Sequence, residues 1–121
     1  MSTRETIHLY IRAIRQHDYD NVIACFVPDA VVVHPIFGTK PALEFFKSLL
    51  TKTTCDDITV KTIFKSADAP RTTAVLFSDE WKTADGTEFK NDIVLIFDFD
   101  DAALIHKLVV IFDTFPMRGK L

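Results

Sequence analysis

The sequence predicts an α+β fold, a cone of three N-terminal helices packed on a curved, mainly antiparallel β-sheet. Three observations carry that expectation. Apolar residues recur at helical spacing through the first third of the chain. They alternate at period two through the remainder. Turn signals then divide that remainder into long strands, with no linker, repeat or low-complexity stretch anywhere. With 121 residues in all, this is one domain over 1–121.

Ser2 and Glu5 stand at capping-box spacing, so hydroxyl and carboxylate can each satisfy an orphaned N–H at a helix start. Ile7, Tyr10, Ile11 and Ile14 then form one apolar stripe, with His8, Arg12 and Arg15 opposite. Asp18 can cap a second, short helix whose inward residues are Val22, Ile23 and Phe26. Pro28-Asp29 marks a turn, and Ala30 to His34 reads as a β-branched strand ended by Pro35. Thr39 can cap the third helix, with Pro41 in its first turn and Ala42, Phe45, Phe46 and Leu49 inward.

Next, Ile58, Val60 and Phe64 alternate with Thr59, Lys61 and Lys65 in a half-buried strand. After Asp68-Ala69-Pro70, a second strand places Val75, Phe77 and Trp81 on one face. Asp85-Gly86 signals a hairpin. Its partner strand runs from Phe89 to Phe99, and Asp100-Asp101 turns into a last strand from Leu104 to Phe115. Ile93 to Phe97 and Leu108 to Phe112 are apolar on both faces. Helices can cover one face only, so a homodimer through the outer sheet face is expected.

A net charge of −3 without any cluster of Lys and Arg excludes a nucleic-acid footprint and argues against an anionic membrane surface. No apolar run is long enough to span a bilayer and no basic-then-apolar leader is visible, so a cytoplasmic protein is expected. Cys25 lies in an apolar helical run, where a buried thiol is a more natural reading than a bridge to Cys55. His8, His17 and His106 have no partners at ligand spacing, so no metal and no cofactor is expected. Eleven Phe among 121 residues suit an apolar cavity between sheet and helices.

The run YIRAIRQHDYDNVIACFVPDAVVVHP, from Tyr10 to Pro35, resembles the opening of the nuclear transport factor 2-like superfamily, in particular its ketosteroid isomerase and SnoaL-like members. The elements that match are Tyr10, Asp18, Asp20, Ala24, Phe26, Asp29, Ala30 and Pro35, and the stretch Gly38 to Phe46 resembles the next loop and helix. The resemblance implies a small-molecule pocket and acid–base chemistry of isomerase, cyclase or dehydratase type. It places Tyr10 where ketosteroid isomerases keep an oxyanion donor, His34 where they keep the general-base carboxylate, and Leu95 where they keep a protonated Asp. Leu95 cannot donate, and one missing donor typically costs ~2.7–4 kcal/mol of transition-state stabilisation, so true ketosteroid isomerase activity is not expected. A non-catalytic ligand-binding or dimeric interaction module is the alternative.

Tyr10 and His34 are thus the candidate catalytic pair, although Tyr10 also fits as a plain core ring and His34 as a strand-end residue satisfied by backbone. Phe37, Trp81, Leu95, Phe97 and Phe112 complete the candidate ligand-binding set, together with Asp79. Asp79 shares a face with Phe77 and Trp81 on a regular strand. A bulge before the hairpin would turn it to solvent, and that is the plainer expectation for a carboxylate.

Overall fold

The computed structural model describes residues 1–118, and 119–121 of the expected domain lie outside the described residues. Helix α1 runs Thr3–Arg15 and buries Ile7, Tyr10, Ile11 and Ile14. Its capping box forms: Ser2 Oγ accepts from the Glu5 N–H at 3.1 Å, and the Glu5 carboxylate accepts from the Ser2 N–H at 3.3 Å. Asp18 caps α2 (Tyr19–Ile23), which buries Val22. The chain continues through β1 (Phe26–His34), β2 (Gly38–Pro41), α3 (Ala42–Lys52), β3 (Thr53–Lys65), β4 (Thr72–Thr83), β5 (Glu88–Phe99) and β6 (Ile105–Ile111), to a 3-10 turn at Phe115–Met117.

Several features differ from the sequence reading, among them the expected Pro28-Asp29 turn, which lies inside β1. Phe26 opens β1 and does not close α2. Thr39 is no helix cap: it pairs with Val33 in β2, and α3 starts at Pro41 without a side-chain cap. Gly38, at φ +74°, bends the chain so that β2 can fold back along β1, a backbone state that glycine adopts without penalty. In β3, irregularities follow Cys55 and Val60, and the second reverses the alternation. Ile63 therefore packs on the core and Phe64 is left 50% exposed. The last strand stops at Ile111, which pairs with Val94, and the Asp113 carboxylate accepts from the Phe115 N–H at 3.0 Å to start the closing turn.

The six strands form one sheet in the order β2-β1-β6-β5-β4-β3. Every neighbouring pair is antiparallel except β1 and β6. The helices lie on one face, over a core that includes Phe46, Phe97, Leu108, Val75 and Val32. The β4–β5 register is unbroken from Thr72↔Asp98 to Lys82↔Glu88. Strict alternation therefore holds along both strands up to the Asp85-Gly86 turn, where Gly86 has φ +87°. Cys25 and Cys55 are both buried and unbridged. No helix among the described residues is long and apolar enough to cross a membrane.

Candidate functional site

Helices and sheet leave a cavity of about 770 Å³ between them. That volume falls within the ~300–1,000 Å³ typical of small-molecule sites. Helix α1 contributes Tyr10 and Ile14; α3 contributes Phe45, Phe46 and Leu49; the inner sheet face supplies Phe77, Phe89, Ile93, Leu95 and Leu108, among others. Exposed Lys40, Glu44, Lys52 and Asp85 mark the mouth, between α3 and the tip of the β4–β5 hairpin. Behind them the lining is aromatic and aliphatic, with very few polar side chains.

Tyr10 is the first of these. It sits on the buried stripe of α1, and its ring is held edge-on by Phe26 at 6.1 Å, Phe46 at 5.8 Å and Phe97 at 5.6 Å. Three such contacts leave the ring one orientation. Its hydroxyl makes no hydrogen bond among the described residues. Burial, with the nearby Asp79 charge second, holds the phenol far above its ordinary value, so it stays a donor at any physiological pH.

His34 ends β1 and stands among three rings, stacked on Phe37 at 4.7 Å, tilted to Phe45 at 5.5 Å and edge-on to Phe112 at 5.4 Å. Its Nδ1 accepts from the Ile36 N–H at 3.1 Å and the Phe37 N–H at 3.3 Å. Burial lowers its pKa to about 4, so the ring is neutral, and with Nδ1 accepting twice the proton sits on Nε2. The lone pair that general-base work would need is occupied. This ring offers a donor.

Asp79 is only 3% exposed, and the expectation that a bulge turns it to solvent is overturned. The irregularities fall on β3, while β4 keeps its alternation against β5, so Phe77, Asp79 and Trp81 all point inward. Trp81 Nε1–H donates to Asp79 Oδ2 at 2.6 Å. Oδ1 is buried without any partner. Desolvation raises this carboxyl to about 6, tempered by the Trp81 hydrogen bond and by the Asn91 side chain across the strand pair. Asn91 favours the charged form as a donor, although it falls short of full hydrogen-bond geometry. A group poised there can take or give a proton near neutral pH.

Of the residues picked out from sequence, Tyr10, His34, Phe37, Asp79, Trp81, Leu95 and Phe112 all line the cavity. Phe97 does not. It is fully buried beneath Tyr10 and stacked on Phe99 at 5.9 Å, a floor under the site and not part of its surface. Among the lining residues that escaped the sequence reading are Asn91 and Met117. Asn91 lies between Phe89 and Ile93 on an apolar strand face, the same signal that singled out Asp79. Met117 is carried to the cavity by the closing 3-10 turn, for which the sequence holds no periodic signal.

The two thiols are inert, Cys25 pushed up to about 11 by burial and Cys55 to about 12 by burial and the Asp79 charge. Among the described residues no group of three or more His, Cys, Asp or Glu could hold a metal ion.

No protein-family model matches the sequence. No curated protein matches it either. Solved structures match it in fold. SalBIII, an epoxide hydrolase/cyclase-like enzyme with a role in pyran ring formation in the polyether salinomycin, superposes with a TM-score of 0.78 at 19% identity, over 92% of this chain and 90% of that one. An NTF2-like protein of unknown function from Burkholderia pseudomallei does so at 0.77 and 20% identity, over 97% and 95% of the two chains. TerC, co-crystallised with polyporic acid, matches at 0.77 and 19% identity, over 95% and 94%. The chain shares the overall fold of these neighbours, a nuclear transport factor 2-like fold.

Proposed function

We propose that the protein binds a small, largely apolar molecule in this cavity and acts on it by proton transfer, as an isomerase, cyclase or dehydratase. The observation that carries the reading is Asp79: a buried carboxyl, one oxygen of which has no partner at hydrogen-bond geometry, on the wall of an aromatic cavity that Tyr10 and His34 also line. Burial without function costs stability, and such groups cluster where chemistry needs them. In this reading Asp79 moves the proton, while Tyr10 O–H and His34 Nε2–H donate to the oxygen on which charge develops. His34 thereby takes a donor's role in place of the base role its position before Pro35 suggested.

Ketosteroid isomerisation is outside the proposal, since Leu95 offers no donor where one would be needed. SalBIII, as an epoxide hydrolase/cyclase-like enzyme, supports ring-forming chemistry as one form the activity can take. The reading includes a second copy of the chain on the outer sheet face. It also includes a reducing, cytoplasmic setting, which two buried free thiols support.

The test is a screen of neutral polycyclic ketones, enones and epoxides by thermal shift, followed by turnover of each binder. Asp79→Asn is expected to keep binding while losing about 10²–10⁴-fold in turnover. Full turnover by Asp79→Asn would refute the assignment. Tight binding with no turnover of any binder would favour a binding module over an enzyme.

A further inference from the structure

We infer that the turn Pro35-Ile36-Phe37 is a gate at one end of the cavity, with the Phe37 ring as the part a ligand must displace to enter. His34 is the positioning residue that latches it shut. The inference rests on the reading of the cavity as a small-molecule site.

Of the aromatic rings that line the cavity among the described residues, Phe37 is the exposed one, at 45%. It stands in the hairpin tip between β1 and β2, which the His34↔Gly38 pair closes. Pro35 and Ile36 are exposed as well, so the tip buries little that would hold it in place. What holds it is His34. The imidazole Nδ1 accepts from both the Ile36 and the Phe37 N–H, and the ring stacks on Phe37 at 4.7 Å. The His34 ring is itself fixed by Phe45, on α3, and by Phe112, just after β6. The latch is thus anchored in the body of the fold, and two hydrogen bonds and one stack release the tip. On the other flank Gly38, at φ +74°, has nothing within 4 Å of where a Cβ would lie, so the hinge side is uncrowded.

A wall residue and a gate differ in kinetics. Removing part of a wall weakens the bound state and speeds departure. Removing a gate speeds entry, because the cavity accepts a ligand only during the fraction of time for which the turn is open.

Stopped-flow mixing of the full chain with N-phenyl-1-naphthylamine, an uncharged apolar fluorophore, tests this. Trp81, the only Trp in the chain and a lining residue, serves as energy donor. Phe37→Ala should raise the association rate constant at least about tenfold, the gain expected when the wild-type turn is open for roughly a tenth of the time or less. His34→Leu, which keeps bulk but offers no acceptor, should raise it similarly. His34→Asn should restore slow entry, since an amide oxygen can accept from the same two N–H groups. An unchanged association rate in Phe37→Ala would overturn the gate and leave the cavity reading standing. No binding of the probe by the wild-type chain would overturn both. Phe37 lies on an exposed turn, so its variant leaves the core intact and decides the matter even where His34→Leu fails to fold. Unchanged entry in folded His34→Leu, or fast entry in folded His34→Asn, would remove His34 from the assignment.

Discussion

Asp79 and His34 are shifted by the same cause, loss of water, and their shifts act on stability in opposite directions. Unfolded, the Asp79 carboxyl ionises near 3.8; folded, near about 6. Between those values the folded chain holds a proton the unfolded chain has lost, so stability falls as pH rises through the window and stays lower above it. His34 behaves inversely. Its folded value of about 4 lies below the ordinary 6.5, so the unfolded chain takes the proton first and stability rises with pH across that range. The two slopes offset in the wild-type protein. Asp79→Asn removes the falling component alone, so its stability relative to wild type should grow by about 2–3 kcal/mol between roughly pH 4 and 7. Urea unfolding of both proteins at several pH values checks this, and a constant difference would show that Asp79 is not the group described.

Between elements, single polar ties set how the helices sit over the sheet. Thr6, fully buried on α1, donates from Oγ1 to the carbonyl of Ala103 at 2.6 Å. Ala103 is itself in the left-handed region at φ 61°, in the turn that joins β5 to β6. The Asp100 carboxylate accepts from the Ala102 and Leu104 N–H groups, both at 2.9 Å, and holds the same turn from within. One end of α1 is thereby fastened to the sheet. Its other end is tied by Arg15, which donates to the Ile58 carbonyl at 2.5 Å. Thr6→Val keeps the shape and orphans the Ala103 carbonyl, and should cost about 1–3 kcal/mol in chemical denaturation. A change within experimental error would mean that water or another donor replaces the hydroxyl.

Seen whole, the molecule has one sheet face covered by helices and one that is not. The outer face is apolar along two cross-strand rows. Val33, Val109, Ile96, Ala74 and Phe64 are successive partners across five strands. Ile111, Val94 and Leu76 form a second row beside it. Polar residues flank the rows, with Lys107 and Asp98 paired on one side and Ser78 hydrogen-bonded to Asp92 on the other. In the proposed twofold pairing, two copies would bury this apolar patch with the same residues from each. Val109 lies inside the first row, between Val33 and Ile96, so Val109→Asp should convert a dimer seen by light scattering into a monomer or an insoluble chain. A wild-type monomer at micromolar concentration would refute the pairing.

Local patterns were sufficient for much of this architecture. The capping box, the α1 stripe, the Asp18 cap and the Asp85-Gly86 turn all form as read, because each depends on neighbours within a few residues. Tyr10 on its stripe and His34 at its strand end were legible in the same way, but it was the resemblance to the nuclear transport factor 2-like superfamily that placed both at the cavity. What remained illegible depends on contacts between distant segments. A bulge is a matter of pairing, so the phase reversal that exposes Phe64, and the unbroken β4–β5 register that buries Asp79, exist only once strands meet. Phe97 carries the same alternation as Leu95, yet the Tyr10 ring packs over it and takes its place at the surface of the cavity. The tautomer of His34 depends on where the chain beyond Pro35 places two N–H groups. Residue types and periodicities therefore determined which side chains were available to the cavity, and long-range packing, which alone sets burial and pairs one polar atom with another, determined that Asp79 is the carboxyl left with an oxygen to spare.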